Sequence, residues 1–390
     1  MSKPLQGIRV LDLSRLLPGP FCSLILADLG AEIIKVEDPA GGDYARWLPP
    51  LKNETGIYFL ALNRNKKSIT LNLRVSKGVE LFKKLAQTAD IVLEGFRPGV
   101  LDRLGIGYPI LEKLNPKIIF CSITGYGQKG PHSALAGHDL NYIALSGVLG
   151  LTGKTPDDIA IPGAQIADVG GGSLFGAVTL LAALIERQKN GKGRHLDISM
   201  TDGAFSFLTM HLVRYLMEQQ SLRPARLPLN GAWPCYRPYK TKDGKFVALG
   251  AIEPKFWEQF CKAVEREDLK SEGYSEVPHI LSEVEKIFAQ KTREEWVKLG
   301  ARFDFCCTPV YQDEEIVQNP HVKARNLIFE LEHPTEGKIP QIRMPFNFSD
   351  PSIKRRDSPP PALGEHNQEI LKGLGLSPQE VTDLKKEGVL

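Results

Sequence analysis

The chemistry that the chain can carry is concentrated between residues 125 and 187. His138 sits beside Asp139 in a turn of small residues, Ala136 and Gly137. Asp168 stands just before Gly170, Gly171 and Gly172, which open a long apolar helix. A carboxylate there lies near unpaired backbone N–H groups and the positive end of a helix dipole. Such a place can hold an anionic oxygen, or an oxyanion that develops during a reaction. The same pattern also suits a helix N-cap at Asp168 and a hydrogen-bonded loop histidine at His138.

The elements that must position these groups read as an α/β protein. Residues 8–13 (IRVLDL) predict a buried strand, residues 21–29 a helix closed by Gly30, and residues 32–36 the next strand. Strand, turn, helix, strand is the signature of a parallel sheet. Further strands are expected at 69–73, 91–93, 117–123 and 195–199, and helices at 77–88, from Asp168 to about 187, and at 201–218. No GxGxxG follows the first strand. Gly125, Gly127 and Gly130 have that spacing but lead into Pro131 and a turn instead of a helix, so a dinucleotide site is rejected at both places.

Two loops gather cations. NRNKKS (63–68) reads as a basic turn before a strand, either a solvated hairpin tip or a clamp on phosphates. EGFRPGVLDRLGIG carries Arg97 and Arg103 at the expected carboxyl end of a parallel strand, where open α/β sheets bind their ligands. Residues 221–240 are proline-rich and lack periodicity, which predicts a linker to a second domain. That domain should open with a hairpin turning at Asp243 and Gly244. FCCTPVYQ reads as a buried strand, and the chain from about 334 onward as largely irregular, with two short terminal helices.

The composition is that of a soluble globular protein with room for a large core: 390 residues, 42% hydrophobic and 24% charged. A net charge of +3 gives no sign of nucleic-acid binding. No run approaches about 18 consecutive apolar residues, so no membrane span is expected. The N-terminal residues run into a strand without a signal-peptide core. The six cysteines are scattered without a CxxC pair. They read as reduced thiols of a cytoplasmic protein, with neither a disulfide frame nor a metal site expected.

From end to end the chain resembles the family III CoA-transferases and α-methylacyl-CoA racemases. LDLSRLLPGPFCSLILADLGAEIIKVEDP resembles the family's opening signature, and NRNKKSITLNL, EGFRPGVLDRLG, TGYGQKGP, GHDLNY, ADVGGG and GKGRHLDISMTDG resemble its successive blocks. The resemblance implies a large Rossmann-like domain with a parallel sheet over 1–220, a linker over 221–240, a smaller α+β domain over 241–330, and a segment over 331–390 that returns to the large domain. It also implies an interlinked homodimer acting on an acyl-CoA, and no cofactor beyond the CoA moiety of the substrate.

The family holds two chemistries. In the transferases the aspartate matching Asp168 is a nucleophile that forms a mixed anhydride and then an aspartyl-CoA thioester. In the racemases a proton leaves the α-carbon of the thioester and returns to either face, which needs two acid/base groups and a stabilised enolate oxygen. The resemblance favours the racemases. His138 matches their histidine, Asp168 its partner, and Glu253 in GAIEPKF a glutamate supplied by the small domain. The segment NGAWPCYRPY lacks the four-glycine lid of formyl-CoA transferase. Asp139 could orient the primary groups. Arg103 matches an arginine important in the racemases, although a role in holding loops suits it equally. By matching position, Lys35, Arg64, Lys66, Lys67 and Arg97 are candidates to hold the CoA phosphates. For Asp168 to serve as an acid its carboxyl must titrate higher than usual; burial would raise it and a helix dipole would lower it.

Overall fold

The computed structural model describes residues 3–155, 157–349 and 357–390. The chain divides into two compact units: residues 1–146, 164–206 and 323–390 form the first, and residues 147–163 and 207–322 the second.

The first unit is built on a six-stranded, wholly parallel sheet. Its strands are β1 (Arg9–Asp12), β2 (Glu32–Glu37), β3 (Lys66–Thr70), β4 (Ile91–Glu94), β5 (Ile119–Thr124) and β6 (Arg194–Ser199), in the spatial order β6-β5-β4-β1-β2-β3. The central strands are almost fully buried, which is why they read as continuous apolar runs instead of alternating ones. The helices α1 (Pro18–Asp28), α2 (Ser76–Gln87), α3 (Asp139–Ser146), α4 (Phe175–Asn190) and α5 (Met200–Ser206) follow in sequence. From β1 the chain builds outward through β2 and β3, then crosses back to β4 and builds the other way. The reversal lies between β1 and β4, and the crevice outside their carboxyl ends is where such sheets take ligands.

The helix expected from Asp168 departs from its prediction. Residues Ile166–Leu174 wind as a π-helix before α4 begins. The wide turn accompanies a close helix crossing. A Cβ on Gly171 would stand 2.5 Å from the carbonyl oxygen of Met200, and one on Gly203 would stand 2.4 Å from the Cα of Gly171. The glycines therefore let α5 press backbone to backbone against the π-turn. Together these turns form a 25-residue helix, Ile166–Asn190, whose length and apolar composition would suffice to cross a membrane. Its interruptions by polar residues hid it from a search for unbroken apolar runs. It packs Gly176 against Ile123 of β5 and buries Ala177, Leu180, Ala183 and Leu184.

The second unit comprises α6 (Thr209–Glu218), the antiparallel strands β7 (Tyr236–Lys240), β8 (Phe246–Gly250) and β9 (Cys307–Pro309), and the helices α7 (Pro254–Ala263), α8 (Pro278–Phe288) and α9 (Arg293–Phe303). Its core is aromatic. Phe288 stacks between Tyr239, at 4.4 Å, and Phe260, at 5.3 Å, and Trp296 closes the cluster. The hairpin turn falls at Asp243 and Gly244 as expected, with Gly244 at φ +76.

The domain boundaries move. The unit border falls after Ser206 instead of at 220, and residues 147–163 join the second unit. Residues 221–240 are not a free linker. Asn230 donates to the carbonyl of Leu151 at 2.6 Å, and the segment ends inside β7, where Tyr239 is buried. Its prolines hide a strand, because Pro238 needs no N–H in a register that its neighbours satisfy. The return to the first unit begins at Lys323. It contains a hairpin, β10 (Ile328–His333) and β11 (Gly337–Ile342), where irregular chain was expected. The terminal helices α10 (Asn367–Gly373) and α11 (Pro378–Lys386) then pack on the sheet core. Residues 350–356, part of the proline-rich tract of the sequence reading, lie outside the described residues.

Candidate active site

His138, Asp139 and Asp168 come together in the first unit. Asp139 opens α3, and its Oδ1 accepts the backbone N–H of Asp168 at 2.9 Å. His138 is the residue just before Asp139 in the chain. Its own N–H donates to Oδ1 of Asn141, and its carbonyl accepts the N–H groups of Asn141 and Tyr142, so the turn is fixed by backbone bonds and the ring is left exposed. The small residues before it have a reason. A Cβ on Gly137 would stand 2.7 Å from both Oη of Tyr126 and Cε1 of Tyr142. Tyr142 donates its hydroxyl to the carbonyl of Gly137, and the Tyr126 ring meets it edge-on at 5.1 Å.

Burial, reinforced by the Asp139 carboxylate, pushes the Asp168 carboxyl up to about 7. Burial is the larger of the two causes. Asp168 does not cap by its side chain; it takes part in the turn through its carbonyl, which accepts the Ser173 hydroxyl at 2.9 Å. The Tyr142 hydroxyl is pushed up to about 12 by burial and by Asp168, while Arg97 pulls the other way. Tyr142 thus lies within the fields of both Asp168 and Arg97.

The cations divide into two groups. Arg64, Lys66 and Lys67 do not form a turn facing the crevice. Lys66 is the first residue of β3, so the cluster sits at the amino end of a parallel strand, opposite the ligand-binding edge. Arg64 is 1% exposed and bonds Asp28 at 2.7 Å and Gln341 at 3.0 Å. Lys66 is 3% exposed, donates to the carbonyl of Pro20 and to Asn63, and is drawn down to about 7 by burial. Lys67 is held by Glu32 and Glu369, each at 2.7 Å. Lys35 is fully buried against Asp43 at 2.8 Å and donates to the carbonyl of Ser14. A phosphate clamp needs free, outward charge; Lys35, Arg64 and Lys66 are buried against internal carboxylates, and Lys67 is paired nearer the surface with Glu32 and Glu369, so the arrangement does not favour the expectation that these four hold phosphates.

Arg97 and Arg103 differ. Both are exposed, and neither forms an ion pair among the described residues. They follow β4 at the crevice edge, Arg103 ending the helical turn Val100–Arg103. Sequence reasoning missed their neighbour Arg15, in the loop after β1. Its guanidinium lies 5.1 Å from the Tyr44 ring and 5.2 Å from the Phe96 ring, and it donates to Oη of Tyr44 at 3.1 Å. The signal was position alone: Arg15 occupies the loop that takes the place of a glycine-rich turn after the first strand. Glu253 belongs to the second unit, exposed at the start of α7 with no side-chain capping bond. A large cavity of the first unit, about 1130 Å³, is lined by Arg9, Glu32, Lys67 and His366 and touches none of these acid/base groups. Size alone therefore does not mark the site.

Residues 5–367 match CoA-transferase family III. The chain belongs to that family. Family relatives include the human α-methylacyl-CoA racemase, 35% identical over 99% of this chain and 97% of that protein. They also include the mouse succinyl-CoA:glutarate CoA-transferase, 36% identical over 95% of this chain and 86% of that protein. A CAIB/BAIF family protein from Brucella suis has a crystal structure that superposes with a TM-score of 0.82 at 30% identity, covering 96% of this chain and all of that one. Family III therefore supplies an acyl-CoA enzyme on an α/β fold with a large parallel sheet. Its named members divide between racemases and transferases.

Proposed function

We propose that the protein is a racemase of 2-methylacyl-CoA thioesters, using His138 and Asp168 as its two acid/base groups. The observation that carries this reading is the Asp168 carboxyl, raised to about 7 by burial and by Asp139. A carboxyl in that range is protonated part of the time at neutral pH, so it can give a proton as well as take one. A nucleophilic carboxylate acts only in its ionised form and needs no proton to give. His138 serves the other face, since an imidazole can accept a proton and give it back. One group removes the α-proton, the electron pair passes onto the thioester oxygen as an enolate, and the other group returns a proton to the opposite face. Asp139 acts as a positioning residue, through the bond that it accepts from the Asp168 backbone.

The CoA phosphates are assigned to the exposed Arg97 and Arg103, joined by the half-buried Arg15, because these cations follow strands at the switch-point crevice. No cofactor beyond the CoA moiety is needed. The working form is taken to be a homodimer in which a second copy supplies Glu253. Support comes from α6, which buries no residue and leaves Met210 69% and Met217 80% exposed. A cytoplasmic location suits the six free thiols.

The transferase reading stands beside it, favoured by the succinyl-CoA:glutarate CoA-transferase relative at 36% identity. Incubating single enantiomers of a 2-methylacyl-CoA with wild-type, Asp168→Ala and His138→Ala proteins separates the two. Racemisation without any acceptor acid, lost in both variants, supports the proposal. CoA transfer to an added carboxylate, lost only in Asp168→Ala, overturns it.

A further inference from the structure

Glu94, the last residue of β4, is 4% exposed and takes no part in the proton chemistry above. Its Oε2 accepts the backbone N–H of Phe96 at 2.7 Å, and its carboxyl also takes a hydrogen bond from the Ser122 side chain. Ser122 lies directly across on β5 in the Glu94–Ser122 register, and its Oγ is 2.9 Å from Nε2 of His195 on β6. The ring of His195 stacks on Tyr108 at 5.4 Å. A line of polar groups, buried at Glu94 and Ser122 and open to solvent at His195, therefore crosses three strands and ends on the backbone of the 95–99 loop.

The Phe96 ring packs against the core, but the rest of the loop is less supported. A cavity of about 190 Å³, lined by Glu94, Arg97, Pro98, Gly99, Tyr108 and His195, lies against it. Residues 97–99 border this space, so their position depends on the backbone bonds that hold the start of the loop. Above it the Phe96 ring meets the Arg15 guanidinium, and beyond Gly99, at φ +78, the helical turn to Arg103 begins. Moving Phe96 would move Arg97 and disturb Arg15 and the turn to Arg103.

We propose that Glu94 is a positioning residue for acyl-CoA recognition: it holds the 95–99 loop, and with it Phe96 and Arg97, through the hydrogen bond that it accepts from the Phe96 backbone. This rests on the assignment of the CoA phosphates to Arg97 and Arg103. Removing the carboxyl leaves the Phe96 N–H without its acceptor, which costs more than the bond is worth. The loop can relieve that cost by sinking into the cavity, which withdraws Arg97 from the crevice. A glutamine keeps a carbonyl oxygen in place for the Phe96 N–H.

The test measures CoA binding by calorimetry for the wild type, E94A, E94Q, R97A and E94A/R97A, with thermal melts of each. Wild-type protein that does not bind CoA sinks the assignment of the phosphates, and the proposal with it. Given binding by the wild type, E94A should weaken it roughly tenfold or more, while E94Q stays within about threefold. In steady-state assays the loss in E94A should fall on KM more than on kcat. The two single effects should exceed the double by about threefold or more, because both act through one loop. If E94A does not fold, E94D takes its place, since its shorter side chain withdraws the oxygen from Phe96. Wild-type affinity in the truncated variant, equal losses in E94Q and E94A, or additive effects with R97A would each overturn the proposal.

Discussion

Asp139 holds Asp168 by its backbone and presses on it by its charge. Oδ1 of Asp139 accepts the Asp168 N–H at 2.9 Å, and the same carboxylate adds to burial in raising the Asp168 carboxyl to about 7. One neighbour thus fixes both the place and the proton affinity of the group. The two functions separate in Asp139→Asn, whose amide oxygen can still accept the N–H but carries no charge. Asp168 should then titrate lower, by about one pH unit. In the reaction direction that needs Asp168 as base, the rising limb of kcat/KM against pH should move down. In the direction that needs it as acid, the falling limb should move down. Unmoved limbs would mean that Asp139 does not tune Asp168.

The raised carboxyl also enters stability. A group whose folded pKa lies above its unfolded value favours folding at low pH, and that advantage is lost as pH rises from the unfolded value, near ~4, through the folded one. For Asp168 the window runs from about 4 to about 7. Asp168→Asn removes the buried charge, so it should leave stability little changed at pH 4. Above pH 8 it should add roughly 1–3 kcal/mol, after allowance for the partial exposure of the group. Urea melts across that range check the sign, and a variant equally stabilised at both ends would contradict it.

The close approach of α5 to the π-turn gives a packing prediction. Gly203→Ala would place a methyl 2.4 Å from the Cα of Gly171. Backbone on both sides must move, so the variant should lose about 1–3 kcal/mol. Because the displaced turn carries Asp168, activity should fall beyond what the melt explains. Gly163→Ala, with nothing within 4 Å of the added atom, is the control.

The cations can be told apart by salt. Arg97→Gln with Arg103→Gln should weaken binding of CoA thioesters and flatten its dependence on ionic strength, since exposed charges carry that dependence. Lys66→Met should instead destabilise the fold, because it strips Asp12, 3.6 Å away in the interior, of a balancing charge. If Lys66→Met folds normally and loses only CoA affinity, the division drawn between the two groups of cations is wrong.

The strands of the parallel sheet were legible because buried parallel strands write themselves as apolar runs between turns. The stretch that brings Asp139, beside His138, onto Asp168 was legible too, from the glycines after Asp168 and the small-residue turn before His138. The π-turn at Ile166–Leu174 was not, since its cause is the distant contact of Gly171 with Gly203. The basic stretch 63–68 misled for a related reason. A run of cations looks solvated in one dimension, and only the pairing of Lys66 with Ile33 puts it inside the sheet. Residues 221–240 misled through their prolines, which removed the alternation that marks a strand. Arg15 carried no local signal; its meaning comes from the Phe96 ring, brought from 81 residues further along the chain.

The central claim is that a proton leaves and re-enters the α-carbon while the CoA thioester stays whole. Its most direct measurement is mass spectrometry of (R)- and of (S)-2-methylacyl-CoA after incubation with the enzyme in deuterated water, with no acceptor acid, alongside hydroxylamine trapping at Asp168. The account predicts deuterium on the α-carbon from either enantiomer, drift of both toward a mixture, slowing of about 10²- to 10⁴-fold for at least one enantiomer in His138→Ala, and no adduct at Asp168. No α-deuterium, with acyl exchange onto an added carboxylate and a trapped Asp168 adduct, would contradict it.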